Sequence, residues 1–397
     1  MSDLLSAEEA LARVLALMTP TGIESVPLAE AGGRVLAAPI YAERDQPPFA
    51  ASAMDGYAVR AADAAEGAAL RVIGEVQAGA HLDGEVGPGE AVRIFTGAPV
   101  PPGADAILIQ EDAARDGDRI TVTEAPQKGG YIRPAGLDFK AGSRLEAPRR
   151  LSPAEIALAA AMNAPFLEVR KKPVINLIAT GDELVEPGGR PGPNQIISSN
   201  NYGLAAMLSE AGAAPVIQPI AADEPDALLA ALDRAAEADL IVTLGGASVG
   251  DYDLVRSVFG TEGLDLSFYK VAMRPGKPLM AGRLRGKAMV GLPGNPVSSM
   301  VLGHLLLRPA VEAMLGLPAV APARRKVRLG QPLTANGPRE HYMRARLEET
   351  PEGPVVFPYP NQDSSVLSLL AAANALVVHA PNGPAMAAGE EVDVIDF

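Results

Sequence analysis

Apolar residues recur at helical spacing in only a few stretches of this 397-residue chain. Leu4/Leu5, Leu11, Val14/Leu15 and Met18 share one face of a first helix, with Ser6 as its cap. Ser152-Pro153-Ala154-Glu155 reads as a capping box with proline in the first turn and predicts a second helix over 152–163, with a strand over 166–169. Between them, over 46–145, the pattern is short alternation, as at 70–73 and 106–109, broken by Gly87-Pro88-Gly89, Pro101-Pro102-Gly103 and Asp116-Gly117-Asp118. From Pro173 the rhythm changes again. Strands are predicted over 174–179, 215–220, 240–244 and 288–292, and helices after Asn201 and over 226–237 and 297–315. Strands alternating with helices in this way imply a doubly wound, mostly parallel sheet. The tail is strand-rich once more, at 326–329, 355–357 and 391–395.

The expected fold is therefore multidomain, α/β plus β. Residues 1–45 and 146–172 form a helical stalk, 46–145 an inserted mostly-β domain, 173–318 an α/β domain, and 319–397 a C-terminal β-barrel-like domain.

Composition removes several classes of chemistry. The chain has no Cys, which excludes thiolate nucleophiles, disulfides and Cys-built metal sites. Its four His are far apart in sequence, without the spacing of a His-built metal site. A formal net charge of −14 argues against duplex nucleic acid as a partner, so a polyanionic ligand must be held by a local basic pocket. The N-terminus has no basic, apolar leader, and the apolar window 297–315 is interrupted by His304, Arg308 and Glu312. A soluble cytoplasmic protein without membrane contact is the expectation.

In an open α/β sheet, ligands bind beyond the carboxyl ends of the strands. The unusual residues of this chain fall there: Thr180-Gly181-Asp182-Glu183, Asp223, Gly245-Gly246-Ala247-Ser248-Val249-Gly250-Asp251 and Pro293-Gly294-Asn295-Pro296 each follow a predicted strand. The glycine loop from Gly245 to Gly250 can bring bare N–H groups against an anion. Glu183, Asp182, Asp223 and Asp251 gather carboxylates at the same edge, and oxygen ligands beside a phosphate indicate Mg²⁺; Asp223 is equally readable as a helix N-cap. Lys270, Arg274 and Lys277, followed by Arg283, Arg285 and Lys287, are the cationic stretch expected to hold an oxyanion, with Pro275 and Pro278 stiffening it. In the inserted domain, Asp55-Gly56 reads first as a hairpin turn and Arg133 with Asp138 as a surface ion pair.

Together these motifs resemble a known family. Ser52-Ala53-Met54-Asp55-Gly56-Tyr57, Phe95-Thr96-Gly97-Ala98, Arg133 to Phe139, Thr180 to Leu184, Gly245 to Asp253, Met273-Arg274-Pro275-Gly276-Lys277-Pro278 and Gly291 to Ser298 are similar to the molybdopterin molybdenumtransferase family, which includes the C-terminal enzyme domain of gephyrin. The resemblance implies a homodimer that inserts molybdate into adenylylated molybdopterin with Mg²⁺, releasing AMP and the molybdenum cofactor. It also implies transient contact with the molybdopterin adenylyltransferase and with cofactor-receiving enzymes. Carried over, Glu183, Asp251, Gly245, Gly246, Ser248 and Gly250 face phosphates and metal, with Asp182 and Asp223 as further metal ligands. Pro293, Pro296, Ser298 and Lys277 line the pterin and molybdate pocket, with Lys270 and Arg274 beside them. Asp55, Thr96, Arg133 and Asp138 reach over the partner protomer's site. Arg339, Arg344, Ser364 and Ser365 resemble oxyanion contacts, with the choice within each pair open. Two other activities fit parts of the pattern: molybdopterin adenylyltransferase, which shares the α/β module, and a gephyrin-like scaffold with little catalysis.

Overall fold

The computed structural model describes residues 4–245 and 254–397. Its first helix, Ala7–Leu17, starts at the predicted cap: Ser6 and Glu9 form a reciprocal capping box. Leu5 lies ahead of that helix in an isolated bridge with Val271. Ala10, Leu11 and Val14 are buried in the core of the α/β sheet, so this helix fastens the N-terminus to the central layer. The second helix, Pro153–Ala161, opens on the predicted Ser152–Glu155 capping box. It accompanies a four-stranded antiparallel sheet ordered Ile23–Pro27, Phe166–Arg170, Val35–Leu36, Arg149–Arg150. The sheet joins two chain segments that flank the insertion, a long-range pairing that local pattern does not reveal.

The insertion is a six-stranded sheet ordered Ala106–Ile109, Gly56–Val59, Glu90–Ile94, Ala69–Val76, Arg119–Val122, Ala113–Asp116. Asp55-Gly56 is not a hairpin turn there. Strand Ala51–Ser52 pairs with Ile132–Arg133, and Gly56–Val59 pairs with two other strands. Gly56 instead permits a close crossing, since a Cβ would collide with the Leu108 carbonyl.

The α/β sheet runs Ala214–Ile217, Val174–Ala179, Leu240–Leu244, Lys287–Leu292, Met280–Leu284, Asp265–Tyr269. Its first four strands are parallel and its last two antiparallel. The strand at 214 ends at Ile217, short of the predicted end, although Gln218 N–H still donates to Leu177 O at 3.0 Å. The helix expected over 297–315 runs without a gap from Pro296 to Met314 and carries a π-turn at Gly303–Leu307. Pro309 accounts for the π-turn, since it removes one N–H and its ring needs space against the carbonyl four residues earlier.

The C-terminal strands close on themselves. Glu340–Glu348, Val355–Pro358, Arg325–Leu329, Glu391–Asp396 and Ala375–His379 form a ring, with Ala375–His379 pairing back to Glu340–Glu348. The inside is filled by Val327, Leu329, Ala345, Val356, Ala375, Val377, Val392 and Val394. Tyr342, Leu376 and Val378, on the outer face, join the α/β core, so barrel and sheet share one apolar contact. No helix among the described residues is long and apolar enough to cross a membrane.

Candidate active site

Strands Val174–Ala179 and Leu240–Leu244 lie side by side, yet the chain leaves the first toward Ala214–Ile217 and the second toward the opposite half of the sheet. Such a reversal opens a crevice at the carboxyl ends. Thr180 N–H donates to Leu244 O at 3.0 Å across that point. Gly245 has φ +92°, and a Cβ there would lie 2.8 Å from Thr180 O, so the two strand ends close only over glycine. Gly181, at φ +145°, leaves the space that the Glu183 carboxylate occupies. The third loop meets them: a Cβ on Gly294 would be 3.7 Å from the Gly245 Cα. Asn200 Nδ2 donates to Gly294 O at 2.7 Å, and Ser299 Oγ to Pro293 O at 2.6 Å, which holds Pro293–Pro296 in place. Pro296 begins a helix and Ser298 is buried within it. Gly246, Ser248, Gly250 and Asp251 lie outside the described residues.

Asp182 Oδ1 accepts from Asp223 N–H at 3.1 Å. Asp223 is not the helix cap: Glu224 holds that position and makes no capping bond. Burial pushes the Asp223 carboxyl above its ordinary range, with further push from Asp182 and Glu183. Unbalanced negative charge of this kind fits a hard divalent cation. Among the described residues, however, no group of three or more ligating side chains is gathered to hold one. Substrate oxygens and water would have to complete the shell.

The cationic stretch folds into a tight hairpin: Lys270 N–H donates to Leu279 O at 2.8 Å and Val271 N–H to Lys277 O at 3.1 Å. Lys270 has φ +80°, a region few non-glycine residues adopt, and its Nζ lies 4.9 Å from the Tyr269 ring centroid. Backbone pairing then docks the hairpin on the barrel, with Arg274 opposite His341 in a parallel ladder. Arg274 is exposed and Lys277 partly so. The continuation expected at Arg283, Arg285 and Lys287 does not join them. Arg285 pairs with Asp233 and Glu262, Arg283 donates to Leu17 O, and Lys287 to Ala238 O.

The barrel separates the two arginines and the two serines. Arg344 is 1% exposed. It donates to the carbonyls of Val366 at 2.6 Å, Asn361 at 3.1 Å and Asp363 at 2.9 Å. It therefore braces the 361–366 loop, with its side chain engaged by that loop's carbonyls. Arg339, partly exposed, makes no side-chain hydrogen bond or ion pair among the described residues. Ser365 Oγ donates to Asp363 Oδ1 at 2.7 Å, which leaves Ser364 with the unengaged hydroxyl. Val297 N–H donates to Ser364 O at 3.1 Å, tying this loop to the helix that opens at Pro296.

The inserted domain carries its own cavity of about 550 Å³, walled by Pro47, Pro48, Phe49 and Leu137, with Arg133 and Asp138 in the lining. Arg133 and Asp138 share this cavity without forming the expected ion pair. Asp55 Oδ1 accepts from Thr96 N–H at 2.7 Å and Thr96 Oγ1 at 2.8 Å, and these bonds hold its carboxyl below the usual range. Arg93, which the sequence did not single out, lies beside Asp55, over the rings of Tyr57 and Phe95 at 5.2 and 4.8 Å. Among the described residues, no hydrogen bond or ion pair of Asp55, Thr96, Arg133 or Asp138 reaches the α/β crevice. Asn200, Ser299 and His341 were also missed. Each acts through a partner remote in sequence, and only the Asn200 position beside a predicted helix start offered any signal.

Comparison with known proteins matches three regions of the chain. Residues 5–163 match the MoeA N-terminal region (domains I and II), 176–313 a probable molybdopterin binding domain, and 326–397 the MoeA C-terminal region (domain IV). The chain is 38% identical over 385 residues to molybdopterin molybdenumtransferase 2 of Mycobacterium tuberculosis, covering 94% of this chain and 95% of that one. It is 37% identical over 331 residues to the molybdopterin molybdenumtransferase of a Nostoc species, covering 81% and 76%. A crystal structure of the molybdopterin biosynthesis MoeA protein of Pyrococcus horikoshii superposes with a TM-score of 0.85 at 31% identity, over 100% of this chain and 99% of that one. With the three regions in this order, and relatives matched over nearly their full length, the chain belongs to the molybdopterin molybdenumtransferase family.

Proposed function

We propose that this protein inserts molybdate into adenylylated molybdopterin, releasing AMP and the molybdenum cofactor. One observation carries the reading: the Val297–Ser364 bond and the Arg274–His341 pairing bring the barrel to the crevice where Thr180–Glu183, Gly245 and Pro293–Pro296 meet. An acidic chain thereby presents a cluster of cations beside a glycine-floored crevice.

In this reading Lys270, Arg274, Lys277 and Arg339, with the Ser364 hydroxyl, hold the oxyanion by charge-assisted hydrogen bonds. Gly245 and the residues after it receive the phosphates on bare backbone, and Pro293, Pro296 and Ser298 line the pterin pocket. Mg²⁺ would be held by Glu183, Asp223 and Asp251, with Asp182 orienting Asp223, and would neutralise charge on the departing phosphate. Two sulfur–molybdenum bonds form as one oxo ligand leaves with the two thiol protons as water, and one water adds across the phosphoanhydride to give AMP and the terminal phosphate of the cofactor. The sulfur belongs to the substrate, which suits a chain without cysteine. Preorganised position and charge are what the protein contributes.

Among the described residues the inserted-domain cavity has no bond to its own chain's crevice, and we assign Asp55, Thr96, Arg133 and Asp138 to the site of the partner protomer in a homodimer. The test is anaerobic incubation of Glu183→Gln with adenylylated molybdopterin and molybdate. AMP release should fall by about 10²-fold or more with the thermal midpoint unchanged; wild-type turnover would remove Glu183 from the site.

A further inference from the structure

His341 stands where the barrel meets the cationic hairpin. It pairs with Arg274 on one side and lies directly opposite His379 on the other. Met343, Ala345 and Leu347 point into the barrel, so strand alternation places the His341 ring on that face at the barrel's end. His379 comes from the opposing strand, where Ala375 and Val377 also face inward. The two imidazoles are treated differently. His379 Nε2 meets Pro384 O at 3.1 Å, whereas His341 makes no hydrogen bond among the described residues and keeps 7% of its surface accessible.

The charges acting on His341 come from every neighbouring element: Arg274 on the hairpin, Arg339 and Arg344 on and before its own strand, and His379 across the ladder. Three guanidinium groups around a paired-histidine position disfavour a metal cation and favour an anion. They also hold the imidazole neutral at ordinary pH, with burial the larger cause and a pKa of about 4.

We propose that His341 is a proton-linked part of the oxyanion site: a tetrahedral dianion bound beside Arg274 and Arg339 draws a proton onto His341, which then donates to it. An opposite charge beside an imidazole favours its protonated form, so occupation of the site raises the His341 pKa. Affinity for the dianion then strengthens as pH falls, because the occupied form binds one more proton than the empty form. This rests on the assignment of Arg274 and Arg339 to the oxyanion, and the experiment separates the two.

The probe is sulfate, a tetrahedral dianion that neither condenses nor protonates between pH 5 and 8. Calorimetric titration of the full chain should show affinity rising as pH falls from 8 to 5, by at most about tenfold per pH unit, with up to one proton taken up. His341→Gln should bind with little pH dependence, and Arg339→Ala should bind weakly at every pH. If Arg339→Ala binds as wild type, the oxyanion assignment fails. If Arg339→Ala weakens binding but wild type shows no pH dependence, or His341→Gln retains it, the assignment survives and the His341 proposal is overturned. The chain has four histidines, so ¹³C-histidine labelling gives four ring signals, assigned by single replacements or by elimination should His341→Gln not fold. Saturating sulfate should move the His341 titration upward; an unmoved His341, or a move confined to His379, overturns the proposal.

Discussion

Arg339 and Arg344 are five residues apart and identical in type, yet their surroundings give them opposite roles. Arg344 donates to three loop carbonyls from a buried position, so Arg344→Ala leaves those acceptors without a partner. A loss of about 2–4 kcal/mol is expected, seen as a lowered midpoint in urea unfolding. Arg339→Ala should leave that midpoint within about 0.5 kcal/mol and weaken molybdate binding. If the two variants exchange these phenotypes, the geometry has been misread. The serines divide in the same way, because Ser365 is held by Asp363 and Ser364 is not.

Among the elements, those governed by local rules appear where the sequence predicts them. Ser6–Glu9 and Ser152–Glu155 each satisfy two backbone donors within one turn, and no tertiary partner is needed for that. The parallel strands at 174–179 and 240–244 are legible because they are buried on both faces and read as short apolar runs. The long helix expected over 297–315 also forms, and Pro309 shows only as a local change of hydrogen-bond register at Gly303–Leu307. Gly181 belongs to this scale too. Any side chain there would meet the Glu183 carboxylate and strain a backbone at φ +145°. Gly181→Ala should therefore cost about 1–3 kcal/mol and reduce AMP release through a displaced Glu183. Unchanged kcat would show that Glu183 need not sit where Gly181 lets it.

Over the whole molecule, two buried histidines make stability depend on pH. His304, whose Nε2 has no hydrogen-bond partner among the described residues, and His341 are both lowered to about 4, chiefly by burial. The unfolded chain protonates near 6.5, so their contribution is complete above that pH and declines as pH falls from about 6.5 to 4. The thermal midpoint should be flat from pH 8 to 7 and fall between 6 and 5, less steeply in His304→Gln; an unchanged midpoint at pH 5 would contradict the burial argument. The proposed dimer makes a second whole-molecule prediction. Mixing Arg133→Ala with Glu183→Gln under conditions that exchange subunits should restore partial activity, since one composite site would be intact. No recovery in proven heterodimers would mean that each chain completes its own site.

The sequence by itself determined the helix starts, the parallel strands, the barrel-like tail and the stations of the strand-end loops. These follow from neighbours a few residues apart, or from motifs long enough to mark the family. Only the tertiary structure decided which Arg and Ser are unengaged, that Asp223 is no cap, that Arg285 turns away, and that His341 stands among the cations. Each of these depends on partners remote along the chain. Burial and hydrogen-bond occupancy are set by what packs against a residue, and local pattern does not encode that.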